Sequence, residues 1–442
     1  MKKINIILSY LFALVTTFFV ACQSETEIKT SMLEVDNSKL EVASEGAKIN
    51  IEIKSNVHWT ISSLHGWTTP NINEGEGNKT IELTIAENLY RNERRDTLTI
   101  STVDGTQVKN IEIIQAIEQN PDNNYKYKIP VVFHVIYRDA SNEKQYLREG
   151  YLQEVMAQVN QIWKEAASNL NIEFVMATEA PNGVKMKEAG VNRVKWNIDK
   201  IDYNRFMGFV EAAPKRYRDL LWDQNRYVNI CLYNFSDEKV TGVTTLPYTL
   251  APDTLAGLEQ LPANISPKEL SASYCISVNS LYAYTSPKEQ FETTNFISTI
   301  AHELGHYFGL LHVFGEDPTR GMDSNKDTDF CNDTPTYNRS KYLRELQEYQ
   351  WEHPKFTTDD INKWLTRTNS ITKENFVSDN IMDYYWTKRN KFTPEQVARI
   401  RYVLLHSPFV PGPKIRTQAQ RSINKRTFDI HVHSSICRCH LD

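Results

Sequence analysis

Apolar and polar positions divide the chain into distinct regimes. Residues 4–21 are almost unbroken apolar. From 28 to 117 the pattern alternates with period two, through Leu40 and Val42, Ile49, Ile51 and Ile53, Ile81, Leu83 and Ile85, Leu98 and Ile100, and Ile111 and Ile113. Turn signals around Gly46, at 73–78 and at Asp104 and Gly105 separate these runs, which predicts short half-buried strands and a small β-sandwich. A polar stretch with Pro121 and several Asn follows and reads as a linker. Beyond it the pattern changes. Residues 129–137 form a buried strand. Leu152, Val155, Met156, Val159, Ile162 and Trp163 recur at three and four, an amphipathic helix. Ile172, Phe174 and Met176 alternate again, and 228–233 and 274–278 are two further strands. Phe296, Ile300, Leu304 and Phe308 then place an apolar stripe on a second helix, capped by Thr293 or Thr294.

This order predicts an α+β domain with a mixed sheet at 127–410, preceded by an all-β sandwich of immunoglobulin type at 23–118. A linker at 119–126 joins them and a tail runs from 411 to 442. The chain has 442 residues, enough for two or three domains. Its net charge of −5 gives no support for a nucleic-acid partner. Met1, Lys2 and Lys3 before the apolar run at 4–21, with Ala21 and Cys22 at its end, read as a bacterial export signal at 1–22. Cys22 then becomes a lipidated N-terminus, which implies anchoring at the cell envelope, or secretion if the anchor is absent. A polar tether begins at Gln23. Phe19 departs from the Leu usual in a lipobox. The tail is basic and ends in His431, His433, Cys437, Cys439 and His440, a spacing that matches no metal site. His134, within the first strand of the second domain, reads as a hydrogen-bonded core histidine.

The residues that carry chemistry are His302, Glu303, His306, Gly309 and His312. His302 and His306 are one helical turn apart, on a different face from the apolar stripe, so both imidazoles can hold one ion. Glu303 follows the first ligand and can act as a general base on a water beside the metal. Gly309 allows the helix to stop and the chain to turn, bringing His312 round as third ligand. Three protein ligands leave an open position, as catalytic zinc requires. Five positions fixed in this way arise by chance in a chain of this length roughly once in 100,000, so the helix is read as a metal site and not as incidental histidines.

HExxHxxGxxH is the metzincin signature. Together with 380–384 (Asn-Ile-Met-Asp-Tyr), Asp333-Thr334-Pro335 and Phe392-Thr393-Pro394-Glu395-Gln396, it resembles the pappalysin family over 127–406. The resemblance implies an endopeptidase with two subdomains around a cleft, Met382 as the structural methionine beneath the zinc, and Tyr384 beside the zinc as a helper to the transition state. Trp59, Trp67, Gly75, Gly77, Arg94 or Arg95, and Gln115 resemble the BACON domain of Bacteroidetes surface proteins. That resemblance implies glycan or mucin contact, with Trp59 and Trp67 either as sugar platforms or as sandwich core. The expected function is zinc-dependent cleavage of extracellular proteins or peptides. The alternative is a glycan-binding lipoprotein with an inactive protease-like domain, against which the intact Glu303 speaks.

Three finer expectations follow. Asp323, Asn325, Asp327 and Asp329 offer oxygens at alternate positions, as a calcium loop does, although Thr328 stands where an EF-hand has glycine and Thr334 where it has Glu. Cys275 and Cys331 are candidates for a disulfide, with Cys231 the competing partner. Residues 384–391 carry aromatics and cations but no acid, so the pocket for the residue after the cleaved bond should prefer neutral, apolar side chains and disfavour Arg and Lys; Asp383 or a residue in 370–379 turning inward would reverse this.

Overall fold

The computed structural model describes residues 30–414, apart from 66, 89–92, 118–124, 262–264, 286–294, 318–321, 356 and 385. The export signal, Cys22, Thr293 and Thr294, most of the linker and the tail from 415 lie outside the described residues.

The alternating region is a sandwich. One sheet runs in the order Leu33–Val35, Ala47–Ser55, Lys79–Ile85, Thr68–Pro70. The facing sheet runs Lys39–Val42, Val108–Gln115, Arg94–Thr102, His58–Ser63, Glu74–Glu76. Residues that alternate inward along both sheets, Ile51, Ile53, Ile81, Leu83, Leu98 and Ile111 among them, form one core. Trp59 and Trp67 belong to it and are buried. The Trp59 indole donates to Gly77 O at 2.9 Å. A Cβ on Gly75 would lie 2.4 Å from the Trp59 ring, so glycine is required for strand and ring to meet. Arg94 lies 4.2 Å over the Trp67 ring and donates to Gln115 Oε1, while Gln115 Nε2 donates to Ala43, Ser44 and Ala86 carbonyls. Both tryptophans therefore pack into the sandwich core.

The second domain is built on a six-stranded sheet. Tyr127–Tyr137 is its long strand, buried at nearly every position, as expected for a parallel strand covered on both faces. On one edge it pairs in succession with Ile172–Met176 and Val191–Lys195; on the other, with Val228–Tyr233. Ile276–Asn279 follows in parallel, two residues later than the hydrophobic run suggests. Gly242–Thr244 closes this side as the only antiparallel member. His134 is a satisfied core group: Nε2 meets Asn229 Oδ1 at 2.8 Å and Nδ1 meets Asn192 Nδ2 at 3.0 Å.

Two helices cover one face. Tyr151–Ala166 buries Leu152, Val155, Met156, Val159 and Trp163, the predicted stripe. The Trp163 indole donates to Ala301 O at 3.1 Å, which ties this helix to Phe296–Tyr307, the helix that carries the histidine motif. After His312 the chain builds a second, smaller core from Phe314, Tyr337, Tyr342, Leu346, Trp364 and Tyr384. It then returns as the helix Pro394–His406, whose Ile400, Val403 and Leu404 re-enter the main core. Pro411, Gly412 and Pro413 are buried there, and Pro413 O accepts from the Tyr127 hydroxyl at 3.0 Å.

Candidate metal centre

Asn295 caps the motif helix, in place of Thr293 or Thr294, through bonds from Ile297 N and Ser298 N at 3.0 and 3.3 Å. It does what an N-cap must: its side-chain oxygen satisfies two of the otherwise orphaned amides. The helix is buried along most of its length, including His302, Glu303 and His306. Gly309, at φ +88°, turns the chain.

The three imidazoles converge. His306 Nε2 lies 3.1 Å from both His302 Nε2 and His312 Nε2, and the three ligand atoms all lie within 4.8 Å of one another. Each Nδ1 is turned outward to a fixed acceptor: His302 to Ile381 O at 2.7 Å, His306 to Leu310 O at 2.8 Å, His312 to Glu316 Oε2 at 2.9 Å. A proton held on Nδ1 leaves the Nε2 lone pair facing the centre, the tautomer a metal needs. Burial, reinforced by the neighbouring imidazoles, holds His302 well below its ordinary pKa and pushes His306 down to about 3, so both rings are neutral in neutral solution. Burial would raise the Glu316 carboxyl, but His312, Arg339 and His306 together outweigh it and keep it lowered. Four-coordinate zinc with Zn–N of about 2.0–2.1 Å sets its ligand nitrogens about 3.3 Å apart. The 3.1 Å spacing of His306 Nε2 to each neighbour and the three-imidazole donor set fit that ion.

Glu303 is fully buried beside the triad. Thr244 Oγ1 donates to its Oε2, and a Cβ on Gly242 would come within 2.6 Å of its Oε1. The antiparallel edge strand therefore does two things the sequence did not reveal. Thr244 aims the carboxylate and Gly242 leaves room for it. Both lie about 60 residues upstream in unremarkable sequence. The sequence reading also passed over Glu316, although an acid four residues after the third histidine is a usual outer partner of a metal-bound imidazole.

Met382 lies directly beneath the helix. A Cβ on Gly305 would sit 2.3 Å from its Sδ, so Gly305 is the notch into which the methionine fits. Asn380 Oδ1 accepts from Met382 N at 2.9 Å, and Asn380 Nδ2 in turn donates to Gln396 Oε1 at 2.8 Å. The Tyr384 ring stands 4.6 Å from the His312 ring and 5.3 Å from the His302 ring. Its backbone is gripped by Arg367, which donates to Tyr384 O at 3.0 Å and pairs with Asp383, both side chains being about 1% exposed. Asp383 also accepts from Tyr337 and Ser378 hydroxyls. It is committed inward, and Asp379 faces Lys391 at 3.5 Å.

Two expectations meet a different arrangement. Cys275 and Cys331 are both free thiols, as is Cys231, so the proposed disulfide is not formed. Cys275 belongs to the core on the opposite face of the sheet, 3.7 Å from Met207 Sδ, whereas Cys331 lies in the loop beside Asp329, whose Oδ1 accepts from its amide at 2.8 Å. Nearness to one helix in sequence placed them in different layers. The four oxygen donors of the calcium reading are divided. Asp323 is held by Arg339 and Ser340, Asn325 accepts from Ser370 Oγ at 3.5 Å, and Asp329 sits against Asp327 and Thr334. Burial, with Asp327 adding to it, pushes the Asp329 carboxyl up to about 7.

Residues 211–405 match the family model described as Pregnancy-associated plasma protein-A. The matched stretch contains all three histidines, Glu303, Met382 and Tyr384. The match supports a metalloprotease of the pappalysin family, and the mixed α/β fold after an all-β region agrees with a metzincin-type domain. No curated protein matches the chain. Among solved structures, a Bacteroides ovatus xyloglucanase in complex with a XXXG heptasaccharide is 17% identical over 47% of this chain and 56% of that one, at a TM-score of 0.19. The chain thus spans about half the length of that enzyme. A protein from Bacteroides thetaiotaomicron, determined by NMR, is 13% identical over 20% of this chain and 92% of its own, at a TM-score of 0.16.

Proposed function

We propose that the chain is a zinc-dependent endopeptidase that cleaves extracellular proteins or peptides, exported and lipid-anchored through Cys22. The observation that carries the reading is the convergence of three Nε2 atoms on one point while every Nδ1 is committed elsewhere. Three buried imidazole nitrogens gathered in this way form a donor set for one cation. His302, His306 and His312 would hold the zinc, which when bound would supply Lewis acidity to the scissile carbonyl and to the attacking water.

The remaining steps belong to this chain's own groups. Glu303, kept in place by Thr244, takes the proton of the attacking water and passes it to the leaving amine. Tyr384, whose ring stands against His312, offers its phenol to the charge that develops on the carbonyl oxygen. The pocket for the residue after the cleaved bond accepts neutral, apolar side chains. The acid nearest to it in sequence, Asp383, is already occupied by Arg367, Tyr337 and Ser378.

The decisive experiment compares wild type with Glu303→Ala on a denatured protein substrate, alongside metal analysis. We expect one zinc per chain in both forms, cleavage in wild type only, and products with apolar residues at their new N-termini. Cleavage by the Ala variant at the wild-type rate would end this reading. Cleavage mainly before Arg or Lys would overturn the specificity alone.

A further inference from the structure

The chain must reverse between His306 and His312 for the third imidazole to reach the first two. That turn is narrow. Phe308 N–H is shared between Leu304 O and Gly305 O at 3.0 and 3.2 Å, Gly309 N–H reaches His306 O at 2.9 Å, and Leu310 N–H reaches Gly305 O at 3.0 Å. Gly309 has φ +88°, and a Cβ there would come 2.8 Å from Val403 Cγ2 on the helix Pro394–His406. Two consecutive carbonyls leave the turn. Leu310 O accepts from the ligand His306 itself. Gly309 O accepts from Arg399 Nε at 2.6 Å, and the same guanidinium donates through Nη2 to Ala256 O, also at 2.6 Å. Arg399 is 5% exposed.

We propose that Arg399 is a positioning residue for the zinc centre: by pinning the Gly309 carbonyl from the C-terminal helix it fixes the turn that delivers His312 and orients His306. The proposal rests on the zinc reading above. A guanidinium gives charge-assisted hydrogen bonds, roughly twice as strong as neutral ones. A buried one cannot release its acceptors without leaving a charge unpaired. Metal coordination tolerates ligand displacements of only about 0.2 Å, so the rigidity of the turn is expected to appear in metal affinity.

The same helix supplies its own control. Arg401, likewise 5% exposed, donates to Tyr125 O at 2.8 Å and Leu170 O at 3.4 Å, carbonyls that do not belong to the turn. Two arginines two residues apart thus make the same kind of bond to different parts of the chain. Lysine keeps the charge at either position but loses the planar fork that serves two carbonyls.

The test uses the full chain stripped of metal. Zinc affinity is measured by competition with a chromophoric chelator for wild type, Arg399→Lys and Arg401→Lys, together with Tm of the metal-free forms. We expect both substitutions to lower Tm, Arg399→Lys alone to weaken zinc binding by about 10- to 100-fold, as loss of an outer partner does, and excess zinc to restore cleavage by Arg399→Lys. Arg401→Lys should stay within about twofold of wild type, the resolution such a competition needs against that effect. Zinc affinity of Arg399→Lys equal to wild type, or an equal loss in both variants, overturns the proposal. If Arg399→Lys does not fold, Arg399→Gln, which removes the buried charge but keeps one donor, is held to the same outcomes. Wild type that binds no zinc overturns the zinc reading and this proposal together, whereas zinc-binding wild type with an unaffected Arg399→Lys overturns this proposal alone.

Discussion

The sandwich and the metal centre are both rich in buried polar groups, but they use them differently. In the sandwich the Trp59 indole, the Arg94 guanidinium and the Gln115 amide all reach named oxygen acceptors, so that the signature residues of this region close their hydrogen bonds on one another and on the backbone. In the metal centre each histidine closes one nitrogen and turns the other toward two more of its kind. A buried polar group that satisfies itself holds a fold together. Buried imidazoles that converge offer a donor set to a cation. The contrast separates tryptophans packed into a core, Trp59 and Trp67, from three histidines gathered around one point.

The comparison can be broken or sharpened by substitution. The largest effect is expected at the centre. His306→Ala should eliminate cleavage and stoichiometric zinc while far-ultraviolet circular dichroism stays native, and zinc retained at wild-type affinity would show that the histidines are structural. Next, Trp59→Ala opens a cavity in the sandwich and should cost about 3–5 kcal/mol in that domain, read as an earlier unfolding transition in calorimetry with zinc affinity unchanged. A parallel loss of zinc affinity would mean that the two regions are not independent.

Acidification sharpens the contrast through His134, a histidine in the second domain that behaves as the sandwich polar groups do. Burial pushes it down to about 4. A histidine depressed in the folded state stays neutral there while the unfolded chain takes up a proton, so its contribution is complete above about pH 6.5 and is lost as pH falls toward 4. The difference amounts to at most about 3 kcal/mol at 1.36 kcal/mol per unit. Urea unfolding at pH 8 and pH 5 should therefore show a smaller pH dependence in His134→Gln than in wild type, and identical slopes would refute this.

Glu316→Gln, which weakens the acceptor of His312, should reduce zinc affinity by about 10- to 100-fold with little change in Tm; unchanged affinity would remove Glu316 from the site. The smallest effect is expected where the two domains touch. Lys128 pairs with Glu87 at 2.6 Å, with both side chains partly exposed, and Lys128→Met should change stability by less than about 1 kcal/mol. A larger loss would show the domains to be firmly docked.

Much of this was legible in the sequence because it is local. Period-two alternation predicted the sandwich strands, three-and-four spacing predicted the helix Tyr151–Ala166, and the motif spacing picked out the three histidines that converge. The elements that escaped are set by tertiary contact. Gly242 and Thr244 matter only because the edge strand lies against Glu303. Arg399 matters only because its helix returns to Gly309. The disulfide reading fell short for the same reason, and the calcium donors are engaged separately. Spacing along the chain says which atoms are available, but Cys275 and Cys331 lie in different layers, and Asp323 is already engaged by Arg339.

The carbonyl that orients the first ligand belongs to Ile381, 79 residues after His302. The motif itself spans one helix and a turn, but its working geometry has a long reach in sequence, and contacts of that kind form late because a large loop must close first. During synthesis, then, the signature is complete well before the centre can be. A chain released or clipped before Ile381 has emerged carries all three histidines and the base, without the acceptor that turns His302 inward. The order of synthesis delays the proposed metal centre until most of the domain is present.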